Sequence, residues 1–396
     1  MKTAIYTLTS ELHDEQAVGM VTREFLNSLN VEYEMCGTDY SDYGSHALDL
    51  IYVRTGGTEG IFRRLLPELM AKTKRPFYLL TSGKSNSLAA SMEILSFLRQ
   101  NGLQGEIIHG SAEYITRRIK LLEKVGEAMM RLNGCRLGII GEPSDWLISS
   151  TVDKETVSNK TGIILEDIPM KELLDIIEKT PLREAKDVAP TEAIKKSLPG
   201  AWQIYDALKQ VVENHKLQGL TIRCFDLLTA VKNTGCMALA KLNSEGIVAG
   251  CEGDVPTMLS MMTAQAALGI SGFQANPSRI NPETGELLFA HCTIPFNLVE
   301  RYELDTHFES GIGVGIRGYM KEGPVTIFKV SADLSRCFMA EGMLERSLAE
   351  ADLCRTQQVI RLNDPSNTSY FLTQPIGNHH VILPGQHGEL LKALMS

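Results

Sequence analysis

Short apolar segments alternate with longer amphipathic segments in the first third of the chain. Five apolar segments have the length and composition of buried strands: Thr3–Tyr6, Val31–Met35, Leu48–Val53, Pro76–Leu80 and Glu106–His109. Helices are predicted between them, near residues 14–28, 59–72, 86–101 and 111–131. This alternation predicts a doubly wound parallel sheet with right-handed crossover connections.

The same pattern starts again after a boundary near residues 131–134. Four further strands are predicted at Arg136–Ile140, Ile163–Leu165, Leu220–Phe225 and Ile247–Cys251. Residues 180–198 are polar, and we expect them to form an irregular excursion from this second sheet. The second region therefore also predicts an α/β domain of the Rossmann or flavodoxin-like type.

The pattern changes near residue 270, where turn signals separate shorter apolar segments. The clearest predicted strands of this part are Leu287–Ile294, Gly323–Val330 and Val381–Leu383. They indicate a β-rich, barrel-like domain. We therefore predict two α/β domains, residues 1–133 and 134–270, followed by a β-rich domain, residues 271–396.

Composition excludes several classes of protein. Hydrophobic residues make up 43% and charged residues 22% of the 396 residues, as in ordinary globular proteins. The formal net charge is −9 and no basic block occurs, which disfavours nucleic-acid binding. No apolar run is long enough to span a membrane, and no signal-peptide core is present. The eight cysteines contain no CxxC pair, so free thiols in a reducing cytoplasm are expected.

Acidic residues follow two of the predicted strands in the second region. In open α/β sheets, ligands bind beyond the carboxyl ends of the strands. Asp226 follows the strand Leu220–Phe225, where it could also be a helix-capping or turn residue. Glu252 and Asp254 follow the strand Ile247–Cys251.

The two acidic residues at the second of these strand ends differ in how easily they are explained. Asp254 stands two residues before Pro256, as a helix N-cap does, although a capping carboxylate still has a second oxygen to use. Glu252 is harder to explain as a cap. A carboxylate directly after a buried strand needs a cation, a metal or a hydrogen-bond donor as partner.

Histidines in the last region are further candidates. His291 lies in an apolar segment, where a histidine is commonly a hydrogen-bonded core residue. His379 and His380 are neighbours, and in a strand they would point to opposite faces, so only one is expected to face a given site. A mixed set of carboxylates and imidazoles suits Mn²⁺, Fe²⁺ or Zn²⁺.

Two glycine-rich segments have alternative interpretations. Gly313–Gly318 matches the GxGxxG pattern, but a turn and a strand follow it instead of a helix, so a hairpin or loop is predicted there. Gly56–Gly60 lies between a predicted strand and a predicted helix. Its backbone amides could bind an anion or sugar hydroxyls, or it could be a simple tight turn.

Seven segments of the chain, taken together, resemble the L-fucose isomerase-like family, the metal-dependent aldose–ketose isomerases that include L-arabinose isomerase. The segments occur in the family's order: Thr55–Glu59, Asn86–Ala90, Gly141–Ile148, Cys251–Asp254, His291–Pro295, Gly323–Thr326 and Gly377–His380. The resemblance implies two Rossmann-like domains and a C-terminal β-barrel. It also implies a divalent metal, usually Mn²⁺, and assembly into hexamers, trimers or similar homo-oligomers.

The resemblance also implies site residues. Asp254 and His380 match the family's acidic metal ligand and its late histidine, and Asp226 is the nearest match to a second acidic ligand, where the family commonly has Glu. His291 resembles a metal-binding histidine of the arabinose branch. Apart from the resemblance, Glu59, Asn86 and Trp146 are polar or amphipathic residues at predicted βα loops. The expected substrate-binding residues are these three together with Glu252, Arg317 and His379. Trp146 could stack on a sugar or belong to the core, and Arg317 could meet an anionic sugar or form a surface ion pair.

These residues lead to a hypothesis about the reaction. A bound metal would acidify the C–H bond beside the sugar carbonyl, and Asp226 and Asp254 would transfer the proton between neighbouring carbons through an enediolate. A hydride shift is the alternative route. A non-catalytic sugar-binding protein and a metal-dependent epimerase are the competing classes. The hypothesis requires Asp226, Asp254 and His380 to surround one pocket.

Overall fold

The computed structural model describes residues 2–184 and 189–395. Residues 185–188, part of the predicted irregular excursion, lie outside the described residues. The chain divides into two compact units, Met1–Met130 and Arg131–Ser396, which are described separately below. Whether the second unit divides again near residue 270 stays a prediction.

The first unit contains a five-stranded parallel sheet in the order β2-β1-β3-β4-β5. Its strands are β1 (Thr3–Leu8), β2 (Glu34–Gly37), β3 (Leu48–Val53), β4 (Phe77–Leu80) and β5 (Gly105–Ile108). Its helices are α1 (Glu15–Asn27), α2 (Glu59–Lys72), α3 (Ser87–Gln100) and α4 (Ala112–Leu132). Every residue of β1 and β3 is buried, which explains why these strands are continuous apolar runs in the sequence.

The second unit begins with a four-stranded parallel sheet in the order β7-β6-β8-β9. Its strands are β6 (Arg136–Ile140), β7 (Ile164–Ile168), β8 (Gly219–Ile222) and β9 (Val248–Cys251). Its helices are α5 (Lys154–Thr161), α6 (Met170–Lys179), α7 (Glu192–His215), α8 (Cys224–Val231), α9 (Cys236–Ser244) and α10 (Val255–Leu268). Both predicted parallel sheets are therefore present.

Two boundaries in this unit differ from the sequence-based prediction. Helix α7 begins at Glu192, so the end of the predicted irregular segment is helical, and Thr191 caps it by accepting a hydrogen bond from the Ile194 amide. Strand β8 ends at Ile222 instead of continuing to residue 225. Helix α8 begins at Cys224, and Asp226 consequently lies in the first turn of a helix and does not follow a strand directly.

The end of helix α7 is fixed by a small charged cluster. Nδ1 of His215 lies 2.7 Å from Oε1 of Glu166, and Nε2 lies 2.7 Å from Oε1 of Glu172. Hydrogen bonds to Glu172 and Glu166 raise the pKa of His215 above its ordinary value of 6.5. The bond to His215 in turn helps to lower the pKa of Glu166 below its ordinary value of 4.5.

The last part of the second unit contains a closed antiparallel barrel in the order β10-β11-β16-β15-β14-β17. The strands of this part are β10 (Phe273–Asn281), β11 (Glu286–His291), β12 (Val299–Asp305), β13 (Gly315–Met320), β14 (Gly323–Val330), β15 (Cys337–Leu348), β16 (Thr356–Leu362) and β17 (His380–Pro384). Two short helices complete it, α11 (Thr368–Thr373) and α12 (Gly388–Leu394). The predicted barrel is thus confirmed.

Strands β12 and β13 form a separate hairpin beside the barrel. The GxGxxG segment runs into β13 and opens no helix, as the sequence context predicts. Helix α10 is almost entirely buried because it packs against β8 and β9 on one side and against β14 and β17 on another. This helix therefore connects the parallel sheet to the barrel. No helix in the described parts of the chain combines the length and apolar character that a membrane span needs.

Candidate functional site

The loop after β9 has an unusual backbone that fixes the side chain of Glu252. Glu252 and Gly253 have φ angles of +64° and +68°, in the left-handed region that side chains other than glycine rarely adopt. A Cβ atom on Gly253 would lie 2.7 Å from the carbonyl oxygen of Glu142. The amide of Ser144 also donates a hydrogen bond to the Glu252 carbonyl, at 3.0 Å. Such strain persists only where the surroundings enforce it, and it is common at functional sites.

The carboxylate of Glu252 faces two histidines. Its Oε1 lies 3.8 Å from Nε2 of His291 and 3.5 Å from Nε2 of His379. Its Oε2 accepts a 2.7 Å hydrogen bond from Nε1 of Trp146. Glu252, His291 and His379, hereafter the histidine–carboxylate cluster, offer three ligand atoms that all lie within 4.8 Å of one another. Among the described residues this is the one group of three or more such side chains that close together.

The barrel supplies both histidines. His291 is the last residue of β11, and its Nδ1 lies 2.9 Å from the hydroxyl of Thr293. His379 directly precedes β17, and its Nδ1 lies 2.8 Å from Oδ2 of Asp254. Nε2 of His379 is buried and has no hydrogen-bond partner among the described residues. A buried imidazole nitrogen without a partner, facing a carboxylate, is suited to bind a cation.

Asp254 contacts the cluster through Nδ1 of His379. It is completely buried and caps α10, with Oδ1 accepting from the Thr257 amide at 2.8 Å. Its Oδ2 accepts from the Thr257 hydroxyl at 2.7 Å and contacts Nδ1 of His379. The ammonium of Lys329, also buried, lies 3.5 Å from Oδ1 and donates to the Thr257 hydroxyl at 2.5 Å. Both oxygens of Asp254 are therefore occupied inside the protein.

The ionisation of these groups follows from their mutual contacts. Burial alone would raise the pKa of Glu252, but His291 and His379 outweigh it and hold that pKa far below its usual range. Burial likewise opposes the charge on Asp254, yet Lys329 and His379 keep the pKa of Asp254 low. Burial disfavours protonation of His379, but the hydrogen bond to Asp254 and the nearby carboxylate of Glu252 raise its pKa to about 9. Two carboxylates thus stabilise a positive charge at His379.

A pocket opens beside the cluster. Glu252 and His291 line it together with Phe225 and His307. The Trp146 ring packs edge-on against Phe225, with ring centroids 5.1 Å apart, and Phe225 packs against His307 at 5.8 Å. Burial lowers the pKa of His307. The pocket therefore combines aromatic walls with a few polar groups, as small-molecule sites do.

The structure separates the two adjacent histidines. His379 faces the cluster, whereas His380 points into the barrel core, packed against Phe338 and Phe371. Nε2 of His380 lies 3.0 Å from the Tyr370 hydroxyl, and burial lowers the pKa of His380 to about 3. Alternation along a strand explains this separation. The geometry therefore brings His379 to the cluster, and not His380, the residue that matches the family's late histidine.

Asp226 also lies apart from the cluster. Its side chain is 53% exposed, and its Oδ2 forms a 2.9 Å ion pair with Nε of Arg223. The expected convergence of Asp226, Asp254 and His380 on one pocket is absent from the described residues. Three features explain this. Helix α8 begins earlier than predicted and carries Asp226 on an exposed turn. Asp254 turns back to cap α10, and His380 points into the barrel core.

The remaining predicted residues lie in different surroundings. Glu59 is the first residue of α2, and Asn86 caps α3 with a left-handed φ of +59°; both belong to the first unit. Trp146 is half-exposed at the cluster. Arg317, in β13, forms a 3.1 Å ion pair with Asp305, and its Nη1 is buried without a hydrogen-bond partner among the described residues.

Sequence reasoning missed Lys329 and His307. Lys329 interrupts the apolar strand β14, and a lysine in such a strand signals a buried partner, which proves to be Asp254. His307 lies in a polar loop after β12, where no local pattern distinguishes it from a surface residue. Only the tertiary structure brings it to the pocket.

Fold and site together define an α/β protein with a C-terminal barrel and a histidine–carboxylate cluster at the carboxyl end of a parallel sheet. No family model matches the chain. It is similar to sulfoquinovose isomerases: 22% identical to that of Priestia aryabhattai over 264 residues, which is 62% of this chain and 59% of the relative. The identity is 25% over 227 residues with the sulfoquinovose isomerase of Clostridium sp. (strain MSTE9), which is 54% of this chain and 49% of that relative. The match thus spans about three fifths or less of the length of these relatives.

Proposed function

We propose that this chain is an aldose–ketose isomerase of the L-fucose isomerase-like type, and that it holds a divalent metal in the histidine–carboxylate cluster. The observation that carries the proposal is the buried, unpartnered Nε2 of His379, which lies 3.5 Å from Oε1 of Glu252 at the end of a parallel sheet. The similarity to sulfoquinovose isomerases supports the same class of reaction.

The donor set of the cluster fits a divalent transition metal. One carboxylate and two imidazoles suit Mn²⁺, Fe²⁺ or Zn²⁺, and we keep Mn²⁺ as the proposed ion. Such an ion, when bound, would polarise a sugar carbonyl and make the neighbouring C–H bond more acidic. Asp254 would orient His379 by accepting from its Nδ1–H, and a bound metal would take the place of the proton on Nε2, so metal binding would release that proton.

Proton transfer requires a group that the sugar can reach. Asp254 is a positioning residue in this proposal, because it is completely buried and its oxygens are occupied. His307 lines the pocket, and its lowered pKa keeps its imidazole neutral in neutral solution, so it can accept a proton. We therefore assign proton transfer first to His307. Trp146 holds the second oxygen of Glu252 in place.

The substrate belongs to the proposal as well. The relatives are named for sulfoquinovose, an anionic sugar, and this is the first aldose to test, beside neutral pentoses and deoxyhexoses. Arg317 remains the proposed contact for an anionic group because its Nη1 is buried without a hydrogen-bond partner among the described residues. We further propose a homo-oligomer, which light scattering of the purified chain would test.

The decisive experiment removes metal with a chelator, restores Mn²⁺, Fe²⁺ or Zn²⁺ separately, and measures ketose formation from each aldose. Glu252→Gln should lower metal affinity and kcat/KM by ~100-fold or more, because even residues that only orient a ligand affect metal affinity by about 10- to 100-fold. Asp226→Asn is the matched carboxylate variant, and it should change kcat/KM less than about threefold.

Several outcomes would overturn the proposal. Isomerisation that persists at the parent rate in chelator would exclude metal dependence. Loss of activity in Asp226→Asn together with full activity in Glu252→Gln would return the catalytic role to Asp226. Epimeric aldoses as products would indicate an epimerase, and sugar binding without any product would indicate a binding protein.

A further inference from the structure

The wall of the pocket beside the cluster is rich in thiols. Five of the eight cysteines line it: Cys224, Cys236, Cys251, Cys292 and Cys354. All five are free cysteines in the structure. The isomerase mechanism proposed above uses none of them, so their presence at one pocket calls for a separate explanation.

Two of these thiols are in direct contact. Sγ of Cys251 lies 3.1 Å from Sγ of Cys224. Cys251 ends β9, and Cys224 begins α8 directly beyond the neighbouring strand β8, whose last residue, Ile222, pairs with Cys251. The sulfur atoms of a disulfide are about 2.05 Å apart, so an approach of about 1 Å would join them.

Access to the pair differs between its two members. Both residues line the pocket, but Cys224 is only half-buried and is therefore the more exposed of the two thiols. Cys251 is buried. A reagent is therefore expected to react first with Cys224, whose sulfur lies within 3.1 Å of a second thiol that can attack it.

We propose that Cys224 and Cys251 form an oxidisable dithiol in the wall of the pocket, and that a low-molecular-mass disulfide converts them into a disulfide bond. The Cys224 thiolate attacks one sulfur of the reagent, forms a mixed disulfide and releases one reagent thiol. The Cys251 sulfur then attacks the sulfur of Cys224 and releases the second reagent thiol. The two protein thiols lose two electrons and two protons, and the reagent disulfide is reduced to two thiols.

The disulfide bond would affect the site through the residues that follow Cys224 and Cys251 in the sequence. Glu252 follows Cys251, and Phe225 follows Cys224 and packs against Trp146, which in turn holds Glu252. Drawing the two sulfur atoms together by about 1 Å pulls on the backbone next to Glu252 and Phe225, and small displacements matter in a site whose geometry must be held closely. Oxidation should therefore weaken metal retention at the cluster, and reduction should restore it.

The test treats the purified protein with oxidised glutathione, blocks the remaining thiols by alkylation and maps peptides without reduction. A peptide pair joined through Cys224 and Cys251 is expected in the parent protein and in the control Cys337→Ser, a cysteine outside the pocket. The pair should be absent from Cys224→Ser. Since Cys224 is half-buried, this variant is expected to fold, and circular dichroism checks that it does.

Three results would overturn the inference. One is the absence of the joined peptides while glutathione attaches to other cysteines. Another is a link between Cys292 and Cys354 instead, which are also hydrogen-bonded to each other in this wall. The third is a mixed disulfide at Cys224 that never resolves. The mapping requires neither metal nor sugar, so its failure is distinguishable from failure of the isomerase proposal. Retention of Mn²⁺ before and after oxidation, and after dithiothreitol, then measures the effect on the cluster.

Discussion

Replacing Asp254 by Asn tests the electrostatic support of the cluster. The change keeps the shape of the side chain but removes a charge that faces Lys329 at 3.5 Å and His379 at 2.8 Å. Two separate effects are expected. The protein should lose stability because Lys329 is left without its counter-charge, and the cluster should lose metal affinity because His379 is no longer oriented by a carboxylate.

The size of each effect follows from the structure. Side chains of Asp254 and Lys329 are 0% and 1% exposed, so solvent cannot replace the lost partner. Breaking a buried ion pair of this kind costs about 3–5 kcal/mol. Loss of the carboxylate that orients a metal-binding histidine costs about 10- to 100-fold in metal affinity, which corresponds to ~1.4–2.7 kcal/mol.

A double variant separates the two effects. In Asp254→Asn/Lys329→Met the orphaned ammonium is removed, so most of the lost stability should return, whereas metal affinity should stay low. Urea unfolding of the metal-free proteins measures the free energy of unfolding. Competition with a chromophoric chelator measures the affinity for Mn²⁺.

Either of two results would contradict these expectations. Parent-like metal affinity in Asp254→Asn would show that Asp254 does not orient His379. Recovery of metal affinity together with stability in the double variant would show that the single change acted only through folding.

Three other predictions concern the site loop, the tryptophan and the charged cluster at the end of α7. Trp146→Phe keeps the ring but removes the donor to Glu252, and this should weaken Mn²⁺ binding by ~1 kcal/mol, about fivefold, measured by the same chelator competition. Gly253→Ala should destabilise the protein by about 1–3 kcal/mol more than Gly269→Ala in urea unfolding, because both have positive φ but only the first Cβ would meet backbone atoms. His215→Gln should lower the free energy of unfolding by about 1 kcal/mol near pH 5–6. That deficit should shrink as the pH rises through the raised pKa of His215, because the folded state then loses the proton that it binds more tightly than the unfolded chain does.

Each of these predictions has an outcome that contradicts it. Unchanged metal binding in Trp146→Phe would mean that the indole hydrogen bond does not position Glu252. Equal losses in the two glycine variants would mean that the loop after β9 can relax around a methyl group. A deficit of His215→Gln that grows with pH would mean that the imidazole is neutral in its contacts with the carboxylates.

The parallel sheets were predictable because both of their faces are covered. A strand such as Leu48–Val53 is buried along its whole length, so it stands out as an apolar run between polar segments. The barrel was less visible in the sequence. In β15, Cys337–Leu348, buried residues alternate with half-buried or exposed ones over the first eight positions, so the strand does not stand out as a fully buried run. Its place between β14 and β16 depends on pairing with distant segments.

The positions of the acidic residues were also predictable from local patterns. The proline two residues after Asp254 indicated the cap that the structure contains, and the end of a buried strand indicated that Glu252 needs partners. Their roles were not predictable. The left-handed backbone at Glu252 turns this side chain towards Nε2 of both histidines. Capping of α10 instead holds Asp254 in the interior, where it contacts Nδ1 of His379.

The sequence by itself determined the alternation of strands and helices, the cap at α10 and the rule that His379 and His380 face opposite ways. Only the tertiary structure decided which of the two histidines meets Glu252, because that choice depends on the pairing of β17 with β10 and β14. It also decided that Lys329 lies against Asp254, across 75 residues of chain. Local patterns record the spacing of side chains along one element, whereas a site is formed by elements whose relative register is set by packing of the whole unit.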